Sequence, residues 1–171
     1  ESERDTLADA GLLEQGLHLA LAPQRVELAM FFFARWRTLQ PETEQMLEQS
    51  LRLRLALADL DGAWADGQAL LQQRPDDPAL LTQMAQLGEW REDNPAALHY
   101  WMLLLKQRGD SQVREHALQL ALQLENFRLA QELLKGLMQQ RALDDHELDT
   151  LVYVHESLGS AAQAEAELRA H

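Results

Sequence analysis

The stretch ENFRLAQELL, Glu125 to Leu134, places Ala130 where a helix needing only apolar surface would carry leucine. The same residue recurs at a fixed interval. Ala97 stands 33 residues before it, Ala63 is 34 before Ala97, Ala29 is 34 before Ala63, and Ala164 is 34 after Ala130. A register must organise other positions as well. With this alanine set as position 20, position 4 reads Leu13, Leu47, Leu81, Arg114 and Leu148. Position 8 reads Leu17, Leu51, Ala85, Leu118 and Val152, and position 24 reads Phe33, Gly67, Trp101, Leu134 and Leu168. Position 27 is Trp36, Leu70, Leu104 and Leu137, while Pro41, Pro75 and Gly109 break the chain at position 32. A period near 34 residues with apolar positions at helical spacing marks a helical repeat array. The repeats run approximately 10–43, 44–77, 78–110, 111–144 and 145–171.

The physics accounts for the alanine. Each repeat is two antiparallel helices, with one apolar stripe at positions 4 and 8 and another at 20, 24 and 27. Facing helices approach closely only where a side chain is small, and bulky neighbours then fill the space around it. A lone pair cannot bury both apolar edges, so pairs stack.

On these residues the chain resembles the tetratricopeptide repeat (TPR) family. "LENFRLA" and "LGSAAQA" match its turns, and "LAMFFFARWRTLQP" matches its second helix. The likeness covers about residues 10–171. It implies an all-α fold, a right-handed α-solenoid of about five helix-turn-helix units forming a single segment. Gly67 at position 24, Arg114 at position 4 and the absence of large aromatics at positions 4 and 11 depart from the family pattern. More narrowly, the Leu-, Gln-, Arg- and Ala-rich repeats with joints such as "RPDDPALL" resemble the periplasmic TPR region of bacterial exopolysaccharide export proteins of the Pel polysaccharide type. That resemblance implies a segment preceding a β-barrel, which recruits a periplasmic polysaccharide-modifying enzyme and guides a cationic polysaccharide.

Composition narrows the classes. Low Gly and Pro, 8 and 5 in 171 residues, favour helix throughout. No apolar run approaches the length of a membrane span. The chain has no start Met and opens "ESERDTLADAG" already in helical rhythm, so it reads as an excised part of a longer protein. Cysteine is absent, which removes disulfides and thiolate metal sites. A formal net charge of −13 repels phosphate backbones and argues against a nucleic-acid partner.

No nucleophile motif, phosphate loop or HExxH occurs, so no catalytic residue and no cofactor are expected. The densest His and carboxylate cluster, Asp144-Asp145-His146-Glu147, reads as an acidic, capped helix start rather than a metal site. The functional pattern emerges only in register. In TPR arrays the first helices line the concave face. Position 5 is acidic in four of five repeats, as Glu14, Glu48, Glu115 and Asp149. Position 9 gives His18, Arg52, Gln86, Gln119 and Tyr153, and position 12 adds Glu89 and Glu156. These residues form either a solvated face or an acidic ligand groove for a basic partner. On the outer second helices, Glu27, Asp66 and Glu132 serve as acids away from that face. Phe31 and Phe32 cannot both share the inward face of Phe33 and Trp36; with Trp90 they form a secondary apolar patch, or pack against helices of the array. The expected function is a non-catalytic scaffold for a partner protein. The rival reading is a peptide- or signal-binding regulatory domain of a cytoplasmic protein.

Overall fold

The computed structural model describes residues 26–37 and 43–159, together with positions 166 and 169. Among them the chain is helical without any strand. Eight helices follow one another: α1 Val26–Arg37, α2 Glu44–Ala56, α3 Leu60–Gln73, α4 Pro78–Trp90, α5 Asn94–Arg108, α6 Ser111–Gln123, α7 Phe127–Met138 and α8 Asp145–Ser157. The even-numbered helices begin at position 1 of the 34-residue register. The odd-numbered ones carry the special alanine. Ala29, Ala63, Ala97 and Ala130 are each 0% exposed.

The turns inside the four later repeats, those among the described residues, are built the same way. Position 15 lies in the left-handed region, at φ 56° in Ala58, 58° in Glu92, 53° in Glu125 and 69° in Gly159. Its N–H donates back to the carbonyl of position 12, and the next N–H donates to position 11, as Asp59 to Arg54, Asp93 to Gly88 and Asn126 to Ala121. This closes the C-terminus of the first helix. The side chain at position 16 then opens the second helix. Asp59, Asp93 and Asn126 accept from the backbone N–H groups of Gly62, Ala96 and Leu129. Thr43, Asp77, Asp110 and Asp144 cap the first helices in the same manner. Five aspartates of this acidic chain are therefore occupied by helix ends.

The chain divides into two compact bodies, Glu1–Leu80 and Leu81–His171. In the first, Ala29, Phe33 and Trp36 of α1 pack on Met46 and Leu53 of α2, with Met30, Phe32 and Leu57 at the margin. Between α2 and α3 the core is polar. Asp66 is 2% exposed, accepts a hydrogen bond from the Ser50 hydroxyl, and lies 3.3 Å from Arg54 Nε. A side chain at Gly62 would collide with Arg54, so the glycine makes room for the guanidinium. Asp66 is thus not the outer-surface acid that the register implied. Position 23 turns inward here because Ser50 and Arg54, at positions 7 and 11 of the facing helix, supply its partners.

In the second body, α5 and α7 both flank α6, and α8 packs on α7. Two helices approach closely at Gly88. A Cβ built there would sit 3.0 Å from the N, Cα and Cβ of Ala97. The small residue at position 20 therefore meets position 11 of its partner helix. The departure at position 4 is also accommodated, since the Arg114 guanidinium donates to the Gly136 carbonyl and lies where a Gly136 side chain would stand. The first helices bury more than positions 4 and 8. Position 3 (Met46, Leu80, Val113, Glu147), position 7 (Ser50, Met84, Ala117, Leu151) and position 10 (Leu53, Leu87, Leu120, Val154) are buried throughout. A first helix inside an array has two neighbours, its own partner and the preceding second helix, so its buried face is wider than one stripe. In α8 the predicted positions Leu148 and Val152 are only half-buried, and Leu151, Val154 and His155 hold the core.

Candidate partner-binding surface

Two of the acids at position 5, Glu48 and Glu115, are paired with arginines. In the first body Glu48 Oε1 accepts from Arg74 Nη2 at 2.7 Å, while the same guanidinium reaches Glu44 at 2.9 Å and Asp77 at 3.2 Å. The hydrogen bond that Arg74 donates to Glu48, ahead of the nearby charges, holds Arg74 above its ordinary pKa. In the second body Arg141 repeats the arrangement. Its Nη2 donates to Glu115 Oε1 at 2.9 Å, and its two terminal nitrogens grip both Glu147 oxygens at 2.6 and 2.7 Å. Glu147 first, then Glu115, raise the Arg141 pKa. In return Arg141, aided by the Asp144 backbone N–H, pulls Glu147 below the usual carboxylate range against the opposing cost of burial. Glu147 and Asp144 also form a reciprocal capping box at the start of α8. The predicted Asp144–Glu147 helix start is thus a capped one. Among the described residues no three His, Asp or Glu side chains are grouped to hold a metal ion.

Both arginines occupy position 31 of their repeats. The register reading followed apolar positions and single-sign rows, and missed them. The signal was present: Arg74, Arg108 and Arg141 recur at that position, and Glu48 and Glu115 face the first and the last. Arg108 is exposed, and its repeat has Thr82 rather than an acid at position 5.

The remaining predicted residues fall into distinct environments. Arg52, Gln86, Gln119, Asp149 and Glu156 are exposed. Glu89 is half-buried and accepts from Trp101 Nε1 at 2.5 Å, which ties it to the core. Tyr153 is 55% exposed and meets the Phe127 ring edge-on at 5.7 Å. Phe31 is 64% exposed, whereas Phe32 is half-buried at the margin of the α1–α2 core. Trp90 is 58% exposed at the end of α4. Glu14, His18 and Glu27, as positions or side chains, lie outside the described residues.

One concavity gathers several of these groups. A cavity of about 210 Å³ between α6 and α8 is lined by Glu115, Leu118, Gln119, Leu122, Arg141, Asp144, His146, Glu147 and Thr150. Its apolar lining is Leu118 and Leu122, and its polar lining sets three carboxylates against one guanidinium. Chemically it is suited to hold a side chain with an apolar stem and a polar or cationic head.

No protein-family model matches the sequence, and no curated protein matches it. Solved structures do match in fold. MamA AMB-1 superposes with a TM-score of 0.63 at 12% identity, over 98% of this chain and 90% of that one. MamA 41-end from Desulfovibrio magneticus RS-1 gives 0.58 at 13% identity, over 94% and 92%. A structure of Naa15/Naa10 bound to HypK-THB gives 0.66 at 12% identity, over 94% of this chain and 24% of that chain. These are helical-repeat proteins of the TPR type, and the fold here is an all-α, TPR-like array of helix pairs. Among the described residues no helix is long and apolar enough to cross a membrane.

Proposed function

We propose that this chain is a non-catalytic scaffold that holds a partner protein on the polar surface of its first helices. The observation that carries the reading is the concavity between α6 and α8, lined by Leu118 and Leu122 and by the carboxylates of Glu115, Asp144 and Glu147. The fold supports it, since stacked helix pairs present rows of side chains to extended ligands. One neighbour of this fold is solved with a bound partner, HypK-THB. The finer reading rests on the resemblance of the sequence to export-protein TPR regions. On it the chain serves in the periplasm, in the assembly of an exopolysaccharide modification and export complex. The partner is then a polysaccharide-modifying enzyme, with a cationic polysaccharide passing near the acidic surface.

The test is site-specific photo-crosslinking in the full-length protein, in cells that make the polymer. Probes at Gln86, Gln119 and Asp149 report on the first helices; probes at Gln68 and Glu132, exposed on second helices, are the controls. Adducts with one protein from the first set alone are expected, and its identity tests the finer reading. Equal adducts from both sets, or none, would sink the scaffold reading. A partner unrelated to polysaccharide would sink only the finer one.

A further inference from the structure

Among the described residues of the second body, the large apolar side chains that stand exposed are Trp90, Leu124 and Tyr153. All three belong to the C-terminal half of a first helix or to the turn that follows it. Trp90 is at position 13 and Tyr153 at position 9, and both are more than half exposed. The rest of those two rows in repeats 3 to 5 is Gln86, Gln119, Gln123 and Ser157, all exposed. Residues four apart share a helix face, so each first helix presents its pair side by side. Two contacts join one repeat to the next. Asn94 Nδ2, at the start of α5, donates to Gln123 Oε1 at 3.1 Å, and the Phe127 ring at the start of α7 meets Tyr153 edge-on. Asn94 follows Trp90 by four residues, and Phe127 follows Gln123 by four. The result is a strip of aromatic and amide side chains that crosses three repeats.

The chemistry of the strip selects the occupant. In a chain with 28 acids, neither row carries a charge in these three repeats. The acids beside them in sequence are Glu89 and Glu156, and Glu89 already accepts from Trp101. The bond from Asn94 occupies the Gln123 oxygen and leaves its NH₂ to donate. Trp90 Nε1 is a donor only, and the Tyr153 hydroxyl and the Gln86 and Gln119 amides add further donors. Aromatic faces and N–H and O–H donors thus stand together without a carboxylate. Sugar hydroxyls donate as well as accept, and carboxylates, which these rows lack, hold them most strongly. A proline-rich segment makes no such demand. Proline has no N–H, the carbonyls of a polyproline II helix are unpaired, and its rings pack on aromatic side chains. We propose that the strip binds an uncharged, proline-rich segment of a partner protein in the polyproline II conformation. Prolines pack on Trp90 and Tyr153, and carbonyls between them accept from Gln119 and Gln123. At about one helix diameter per repeat, ~10 Å, the two aromatic faces stand roughly 20 Å apart. Polyproline II rises ~3.1 Å per residue and covers that distance in about six or seven residues. The inference rests on the scaffold reading and deepens it.

The test is fluorescence polarisation of dye-labelled decaproline against the whole chain, beside tetraproline and a Gly-Ser peptide of decaproline's length. Tetraproline, ~12 Å long, reaches only one aromatic face, so decaproline is expected to bind about tenfold tighter than either control. Its affinity should hardly change with salt, because no charges are matched. Trp90→Ala and Tyr153→Ala should each lose about fivefold or more. Gln119→Glu puts an acceptor where a donor stood and should also lose about fivefold. Phe31→Ala, at an exposed ring of the first body, should lose less than about twofold. Circular dichroism confirms that each variant is folded. Equal binding of the Gly-Ser peptide, an equal loss for Phe31→Ala, or no binding of decaproline would overturn the proposal. So would an N-acetylated chitohexaose that binds tighter than decaproline and loses its affinity in Trp90→Ala, since the strip would then be a sugar track. If decaproline fails while crosslinks from Gln86 and Gln119 to a protein persist, the scaffold reading stands without this strip.

Discussion

Replacing Ala97 by Leu tests the close helix contact between Gly88 and Ala97. Ala97 is 0% exposed, and a Cβ on the facing Gly88 would already sit 3.0 Å from its N, Cα and Cβ. Carbon atoms prefer about 3.5–4.0 Å, so the two backbones are as near as glycine allows. Leucine adds three carbons where the facing residue cannot be trimmed further. Trp101 and Leu104, 3% and 2% exposed on the same helix, leave no slack beside it. Overpacking costs about 1–3 kcal/mol in general, and this site should fall near 3. With a urea slope of about 2 kcal/mol per M, the midpoint should drop by about 1.5 M. Gly88→Ala crowds the same contact by one carbon but gains about 1 kcal/mol of helix propensity, so its net cost is smaller. Ala142→Leu, at an exposed position, should stay within about 0.5 kcal/mol of the parent. Urea unfolding followed by tryptophan emission and by far-ultraviolet circular dichroism would rank the three. A parent-like midpoint for Ala97→Leu, or one no lower than that of Ala142→Leu, would refute the close-contact reasoning.

Other expectations follow from the same structure. Ala58→Gly, Glu92→Gly and Glu125→Gly remove a Cβ from a left-handed residue and should each stabilise by about 0.5–1 kcal/mol in thermal melts; a loss at all three would mean the turns are not strained. Asp66→Ala leaves the buried Ser50 hydroxyl without its acceptor and Arg54 with only the more distant Asp59, and should cost about 2 kcal/mol, whereas Glu48→Gln at the half-exposed Arg74 cluster should hardly move the urea midpoint. Glu147 is held below the usual carboxylate range, so its contribution is present above about pH 4.3 and is lost as pH falls through its lowered value. The gap in urea midpoint between the parent and Glu147→Gln should therefore be widest near neutrality and close below about pH 4; a gap that widens on acidification would contradict the Arg141 pairing.

The alanine register was legible because position 20 is a packing requirement repeated in every pair. Of the caps, only Asp144 with Glu147 was read from the sequence; Asp59, Asp93 and Asn126 carried the same signal, an Asp or Asn ahead of helical rhythm, and were passed over. The left-handed position 15 was not, because only Gly159 advertises it; Ala58, Glu92 and Glu125 adopt the conformation under the pull of the turn's own hydrogen bonds. The acidic row was read from residue type alone. Glu48 and Glu115 each share their charge with an arginine from the end of the repeat, Arg74 in the first body and Arg141 in the second. Asp66 was misplaced for the reverse reason: a charge was assumed to face water, and its partners lay sixteen and twelve residues earlier, at Ser50 and Arg54. Long-range polar pairing is invisible to a pattern that tracks one helix at a time.

The Ser50–Asp66–Arg54 set bears on how such a chain can be recombined. In a repeat array each unit meets only its neighbours, so an exchanged segment fits where the faces that meet are apolar. Inside this repeat they are not wholly so. Its donors are on α2 and its acceptor is on α3, so a crossover in the Ala58–Asp59 turn would deliver a carboxylate into a core with no hydroxyl or guanidinium to meet it. A crossover in the joint that precedes α4 moves the three together. Chimaeras that exchange this repeat with repeat 3 or repeat 4 should therefore fold when cut at residues 43 and 77, and fail when cut at residue 58.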